Sequence, residues 1–155
     1  VGVLGSFAAL LLNPNLFPHR HGLAFLLAAI ILVVGYDVSA LFVGTSVGRR
    51  PLAPSISPNK TVEGLVGATV VTMLLSVIVV PWINPWSVGA GLTLGVLVSI
   101  LCPLGDLAQS MIKRSLGIKD MGKLLPGHGG VLDRVDGLLF VLPATYFLVR
   151  AFNLG

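Results

Sequence analysis

The sequence predicts an all-α, polytopic integral membrane helical bundle. Three observations carry that expectation. Of the 155 residues, 55% are hydrophobic and only 10% are charged, whereas soluble domains carry roughly 25% charged residues. Apolar runs recur between short polar turns, several of them near the length of about 20 residues that crosses a bilayer. The basic residues gather on two of those turns, as they do at one face of a membrane protein.

The same figures exclude other classes. Ten basic and six acidic side chains are too few to clothe a soluble globule, and a mean hydropathy of +0.96 excludes intrinsic disorder. The sequence pI of about 9.7 rests on that small difference, so no nucleic-acid partner is expected. Cys102 is the single cysteine, which rules out a disulfide framework or a cysteine-rich metal site.

The elements follow in order. Residues 1–12 are apolar but short, as a truncated helix would be. The chain starts at Val1 with no signal peptide in view, and is read as the C-terminal portion of a longer protein. Residues 13–21 form a turn rich in Pro and Asn, and residues 22–47 are long enough to span, with Tyr36 and Asp37 inside. Residues 48–60 are a polar loop with three prolines. A second span, 61–83, opens with Glu63 in its first turn; 81–86 is a tight turn whose Trp82 and Trp86 suit the interfacial belt. Residues 88–112 span again and contain Asp106; 113–136 are a long polar loop, and 137–152 a shorter final span. The chain 1–155 is thus a single transmembrane domain of about five helices, four complete and one partial.

Orientation follows from lysine and arginine. Arg49, Arg50, Lys60, Lys113, Arg114, Lys119, Lys123 and Arg134 lie on the 48–60 and 113–136 side, against Arg20 and Arg150 opposite. Those two loops are therefore expected to face the cytoplasm, in a multi-pass protein of the cell (inner) membrane.

The acids mark the chemistry. Asp37 lies about ten residues before the end of its span, roughly 15 Å deep at 1.5 Å per residue. Intramembrane carboxylates cost roughly 2.5–3.5 kcal/mol on insertion scales, so they mark functional cavities by default. The plainer alternative is a buried pair with a nearby Lys or Arg. On a helix, Asp106, Ser110 and Lys113 share a face. Asp133 and Asp136 share one too, if the last helix begins near Val131. Carboxylates on two helix ends suit a hard cation; Mg²⁺ takes carboxylate oxygens together with substrate phosphates. Lys113, Arg114, Lys119 and Arg134 offer anion-binding charge. Pro126-Gly127-His128-Gly129-Gly130 permits the close backbone approach of a phosphate-cradling loop. A lipid-headgroup anchor would account for Arg49 and Arg50, but not for acids interleaved with bases in the longer loop. Cys102 reads as a small buried apolar residue.

These residues carry a family resemblance. Ser110-x-x-Lys113-Arg114, Lys119-Asp120-x-Gly122, Pro126-Gly127-His128-Gly129-Gly130 and Asp133-Arg134-x-Asp136 resemble the signature of the phosphatidate cytidylyltransferases. Ser57-Pro58-Asn59-Lys60-Thr61-x-Glu63-Gly64 is similar to an upstream element of that family, with Asn59 where Lys is frequent. Tyr36-Asp37 before Gly44-x-x-x-Gly48 fits as well.

The resemblance implies transfer of a cytidylyl group from CTP to phosphatidate, giving CDP-diacylglycerol and pyrophosphate for phospholipid synthesis. The implied cofactor is Mg²⁺, alone or with a second cation. It implies Asp106, Asp133 and Asp136 as metal ligands. Lys113, Arg114, Lys119 and Arg134 would hold phosphates, Asp120 would belong to the catalytic set, and His128 would donate to phosphate or organise its loop. Asp37, Lys60, Glu63, Ser110, Gly129 and Gly130 would bind substrate. Expected partners are CTP, phosphatidate and the bilayer, with homodimerisation left open. Two alternatives remain at this level: a cytidylyltransferase for another lipid phosphate, and a transporter or structural subunit using the intramembrane carboxylates.

Overall fold

A computed structural model describes residues 2–17, 19–54, 57–115 and 132–154; side chains at 19, 20, 57–59, 113 and 132–136 fall outside the description. Five α-helices appear in order: α1 (Gly2–Leu11), α2 (His19–Val47), α3 (Val62–Ile78), α4 (Val88–Ser115) and α5 (Leu132–Ala151). Two short strands, β1 (Pro51–Ala53) and β2 (Ser57–Thr61), separate α2 from α3, and a 3-10 turn (Val80–Trp82) follows α3.

Among the described residues, three stretches are long and apolar enough to cross a membrane: His21–Val47, Val62–Trp82 and Val88–Ile112. Gly2–Leu11 and Gly137–Ala151 are apolar but shorter. Their exposed surfaces are built from residues that lipid solvates well, such as Val34, Leu41 and Phe42 on α2 and Val66, Val70 and Leu74 on α3. A helix apolar on every side belongs in a membrane or a large core.

The structure departs from the sequence expectation at both polar segments. Residues 48–60 were expected as loop; they contain an antiparallel hairpin, with Pro51 opposite Thr61 and Ala53 opposite Ser57. The signal was hidden because three prolines, which cannot donate to a ladder, usually argue against strand; the register here is irregular between Pro51 and Ala53. The 113–136 loop is shorter than expected, since α4 runs to Ser115 and α5 starts at Leu132. Lys113 and Arg114 are good helix formers, so α4 continues past its apolar part.

Helix packing rests on small residues. A Cβ added to Gly64 on α3 would lie 2.8 Å from the Ala40 carbonyl oxygen and 3.2 Å from Gly44 Cα on α2. Without a hydrophobic drive between helices in lipid, such close backbone approach is what earns the van der Waals contact. Thr61 then caps α3, its Oγ1 accepting from the Gly64 N–H at 3.2 Å.

The core gathers Phe25 and Leu32 of α2, Leu94 and Val98 of α4, and Val141 and Val149 of α5, all fully buried. Trp86 joins it, contrary to the interfacial role expected. It is buried against Phe25 at 5.7 Å, edge to face, and its Nε1 donates to the Ala24 carbonyl at 3.3 Å. The 81–86 turn is thereby held against α2 at Ala24 and Phe25. Trp82 instead stays 88% exposed.

Candidate functional site

Three elements converge on one point. α2 supplies Asp37, α4 supplies Cys102 and Asp106, and the end of β2 supplies Lys60. One ligand atom from each of Asp37, Cys102 and Asp106 lies within 4.8 Å of the others. The Cys102 thiol donates to Asp37 Oδ1 at 3.4 Å. Lys60 Nζ forms an ion pair with Asp106 Oδ2, both side chains being partly buried.

Each placement has a local cause. Cys102 and Asp106 are four residues apart on a helix and so share a face. Pro103 sits inside α4 and removes one backbone hydrogen bond a turn before Asp106. Lys60 is brought in by the hairpin, whose base is closed from both sides. The Val62 N–H donates to the Arg50 carbonyl at 2.9 Å. Glu63 Oε2 accepts from the Arg49 and Arg50 N–H groups at 3.0 and 3.1 Å. Glu63 thus ties the start of α3 to the exit of α2, which leaves Lys60 directed at α4 rather than paired with Glu63.

α5 also approaches this point. A Cβ added to Gly137 would lie 2.5 Å from Cys102 Sγ, so only glycine lets the helix sit against the thiol. Asp133 and Asp136 precede Gly137 on α5, although their side chains lie outside the described residues.

Of the residues singled out from sequence, the structure brings together Asp37, Lys60 and Asp106. Ser110 is half-buried one turn beyond Asp106, and Arg114 is exposed on the last turn of α4. Lys113 and Arg134 stand on α4 and α5, but their side chains are outside the description, as are Lys119, Asp120, His128, Gly129 and Gly130 altogether. Cys102 is fully buried in the core, as expected, and its thiol in addition donates to Asp37. Gln109, on the same face of α4, was not singled out at all. Helical spacing from Asp106 would have found both.

The donor set has a definite chemistry. Two carboxylates within reach of one another are hard donors. They fit an ion such as Mg²⁺, which binds through one or two carboxylates and completes its shell with phosphate oxygens and water. A thiol is a soft ligand; here Cys102 is a donor that orients Asp37. Lys60 adds one positive charge beside Asp106. A pair of acids and a lysine in the more polar half of membrane helices is suited to gathering phosphates and a divalent cation.

Comparison with known proteins agrees with that class. Residues 3–152 match the model of the cytidylyltransferase family, and the chain belongs to that family. It is 41% identical over 141 residues to the phosphatidate cytidylyltransferase of Bacillus subtilis, covering 86% of this chain and 50% of that protein. It is 42% identical over 142 residues to the phosphatidate cytidylyltransferase of Mycobacterium leprae, covering 90% of this chain and 43% of that protein. A protein of Escherichia coli described as uncharacterized protein YnbB is 40% identical over 145 residues, covering 94% of this chain and 49% of its own length. The chain spans about half the length of these relatives.

Proposed function

We propose that this chain carries the catalytic core of a phosphatidate cytidylyltransferase, which converts CTP and phosphatidate to CDP-diacylglycerol and pyrophosphate. The observation that supports this reading best is the convergence of Asp37, Asp106 and Lys60 in a chain of the cytidylyltransferase family. The site is read as facing the cytoplasm across the inner membrane, because segments 48–60 and 113–136 carry eight of the ten basic residues. Cysteines introduced at Ser55 and Ser115 should resist an impermeant thiol reagent in intact cells; labelling of both from outside would reverse this orientation.

In this reaction a phosphate oxygen of the lipid attacks the α-phosphorus of CTP. The bond from that phosphorus to the bridging oxygen breaks, and pyrophosphate leaves with the electron pair. The lipid phosphate is already ionised near neutral pH, so no side chain has to remove a proton. Catalysis then rests on positioning and charge neutralisation.

The chain's own residues supply both. Asp37 and Asp106 would hold Mg²⁺, joined by Asp133 and Asp136 of α5. When bound, the ion neutralises charge on the phosphates and aligns them for in-line displacement. Cys102 fixes the Asp37 carboxylate through its hydrogen bond. Lys60 neutralises Asp106 in the free chain and is placed to turn its ammonium to an arriving phosphate. Arg114 and Lys113, at the end of α4, would take the outer phosphates. Lys119, Asp120, His128, Gly129 and Gly130 of the connection to α5, and Arg134 in the first turn of α5, would complete the proposed site, as the family resemblance implies.

The test is direct. Membranes containing the full-length protein, given CTP labelled in its cytidine, phosphatidate and Mg²⁺, should form a labelled liponucleotide, and unlabelled CTP added at the start should dilute that label. No product with phosphatidate, but product with another lipid phosphate, would move the assignment to that lipid. No product with either would overturn it.

A further inference from the structure

Among the described residues, Gln109 is the one buried side chain on the site face of α4 whose polar group the chemistry above does not use. It is 6% exposed, and among the described residues its buried Oε1 has no hydrogen-bond partner. Buried polar atoms in native proteins are rarely left so, because an unpaired buried acceptor costs about 1–3 kcal/mol. Helical geometry places the residue: Cys102, Asp106 and Gln109 fall within a sector of about 60° around α4 at 3.6 residues per turn. Gln109 lies about 4.5 Å beyond Asp106 along the helix axis, toward its polar end.

An orphan acceptor calls for a ligand that donates. That condition separates the two substrates of the proposed reaction. The phosphates of either substrate, and the esters of phosphatidate, present acceptor oxygens, so a carbonyl oxygen would repel rather than bind them. Donors lie in the nucleoside half of CTP, above all the exocyclic amine of cytosine. A carboxamide also offers an N–H group, and its two ends match the amine and the adjacent ring nitrogen of cytosine. Bidentate pairing of glutamine with a base edge is a familiar geometry. Asp37, Asp106 and Lys60 are charged and suited to the phosphates and their cation, whereas Gln109 is neutral and suited to the base.

We propose that Gln109 is a nucleotide-binding residue of this site and that its Oε1 accepts a hydrogen bond from the cytosine amine. The proposal rests on the reaction assigned above. Uracil places a carbonyl oxygen where cytosine has its amine, so two acceptors would face each other. Held in the orientation the structure shows, the carboxamide therefore favours cytosine; pairing with uracil requires the amide to be turned over.

The experiment uses membranes containing the full-length protein, assayed with CTP, UTP and phosphatidate. Wild-type protein forming no liponucleotide from CTP would sink the assigned reaction itself. With wild type active, Gln109→Leu should raise the KM for CTP at least about tenfold, the scale of one lost hydrogen bond at about 1.4 kcal/mol. The KM for phosphatidate should not change, and the preference for CTP over UTP should narrow by a similar factor. Gln109→Glu keeps an acceptor and should raise the CTP KM less than Gln109→Leu does. An unchanged CTP KM in Gln109→Leu, or a rise in the phosphatidate KM instead, overturns the proposal. A Gln109→Leu protein too unstable to assay leaves Gln109→Glu to decide: an unchanged ratio of CTP to UTP use together with a raised phosphatidate KM also overturns it.

Discussion

Lys60 and Asp106, separated by 46 positions in sequence, form an ion pair that joins the end of the β1–β2 hairpin to the middle of α4. The pair stands beside a second carboxylate, Asp37. Two acids this close repel, and a lysine is the counter-charge the described residues place there. Removing one partner of such a pair leaves the other uncompensated, and this costs more than the pair itself contributes.

Lys60→Ala should therefore lower kcat/KM for CTP at least about tenfold, or ~1.4 kcal/mol of transition-state stabilisation. Lys60→Arg should recover part of it, because the charge returns with a different shape. Steady-state kinetics on membranes decide the matter. Normal turnover and normal CTP KM in Lys60→Ala would reduce the pair to a structural contact.

Asp37→Asn and Asp106→Asn should each lower kcat by about a hundredfold or more, the order expected for losing a main electrostatic element. Asp133→Asn and Asp136→Asn are expected to do the same. Asparagine has nearly the same shape, so protein abundance in the membrane should hold. Chelation should abolish wild-type activity and Mg²⁺ should restore it. Activity that survives thorough chelation, or survives Asp106→Asn, would end the metal-centred mechanism.

Glu63 acts on the site through the backbone. It accepts the Arg49 and Arg50 N–H groups and so holds the hairpin that delivers Lys60. Glu63→Gln keeps an acceptor oxygen, and Glu63→Ala does not. The alanine variant should be cut faster by protease within the hairpin and should lose activity a few-fold, with the glutamine variant close to wild type on both counts. Equal protease resistance in all three proteins would remove the latch role.

Gly64 is expected to be intolerant of even one added carbon. Its Cβ would meet the Ala40 carbonyl at 2.8 Å, and backbone cannot step aside cheaply. Overpacking of this kind costs typically about 1–3 kcal/mol. Gly64→Ala should lower the Tm of the detergent-extracted protein. Gly89→Ala, where nothing lies within 4 Å, serves as the neutral control. Matching Tm values would mean that α2 and α3 separate without penalty.

The spans and the class of site were legible in the linear sequence because they depend on local composition. A run of apolar residues is a membrane helix wherever it is placed, and Asp37 or Asp106 inside such a run is conspicuous without any partner in view. The motif from Ser110 to Asp136 pointed to its family in the same local way. Pairing was a different matter, because which residues meet depends on helix approach and on the path of a loop. Lys60 reaches Asp106, and not the nearer Glu63, because the hairpin turns it toward α4 while Glu63 is taken up by backbone N–H groups. Cys102 and Asp37, 65 positions apart, become donor and acceptor only where α4 crosses α2. Helical spacing puts Cys102 on the Asp106 face, but nothing in the run says that Asp37 is what it meets there. Trp86 likewise had the composition of an interfacial anchor, and only the fold-back of its turn buried it against Phe25. Hydropathy acts residue by residue and survives in the one-dimensional record, whereas a contact between distant residues exists only once the helices have packed.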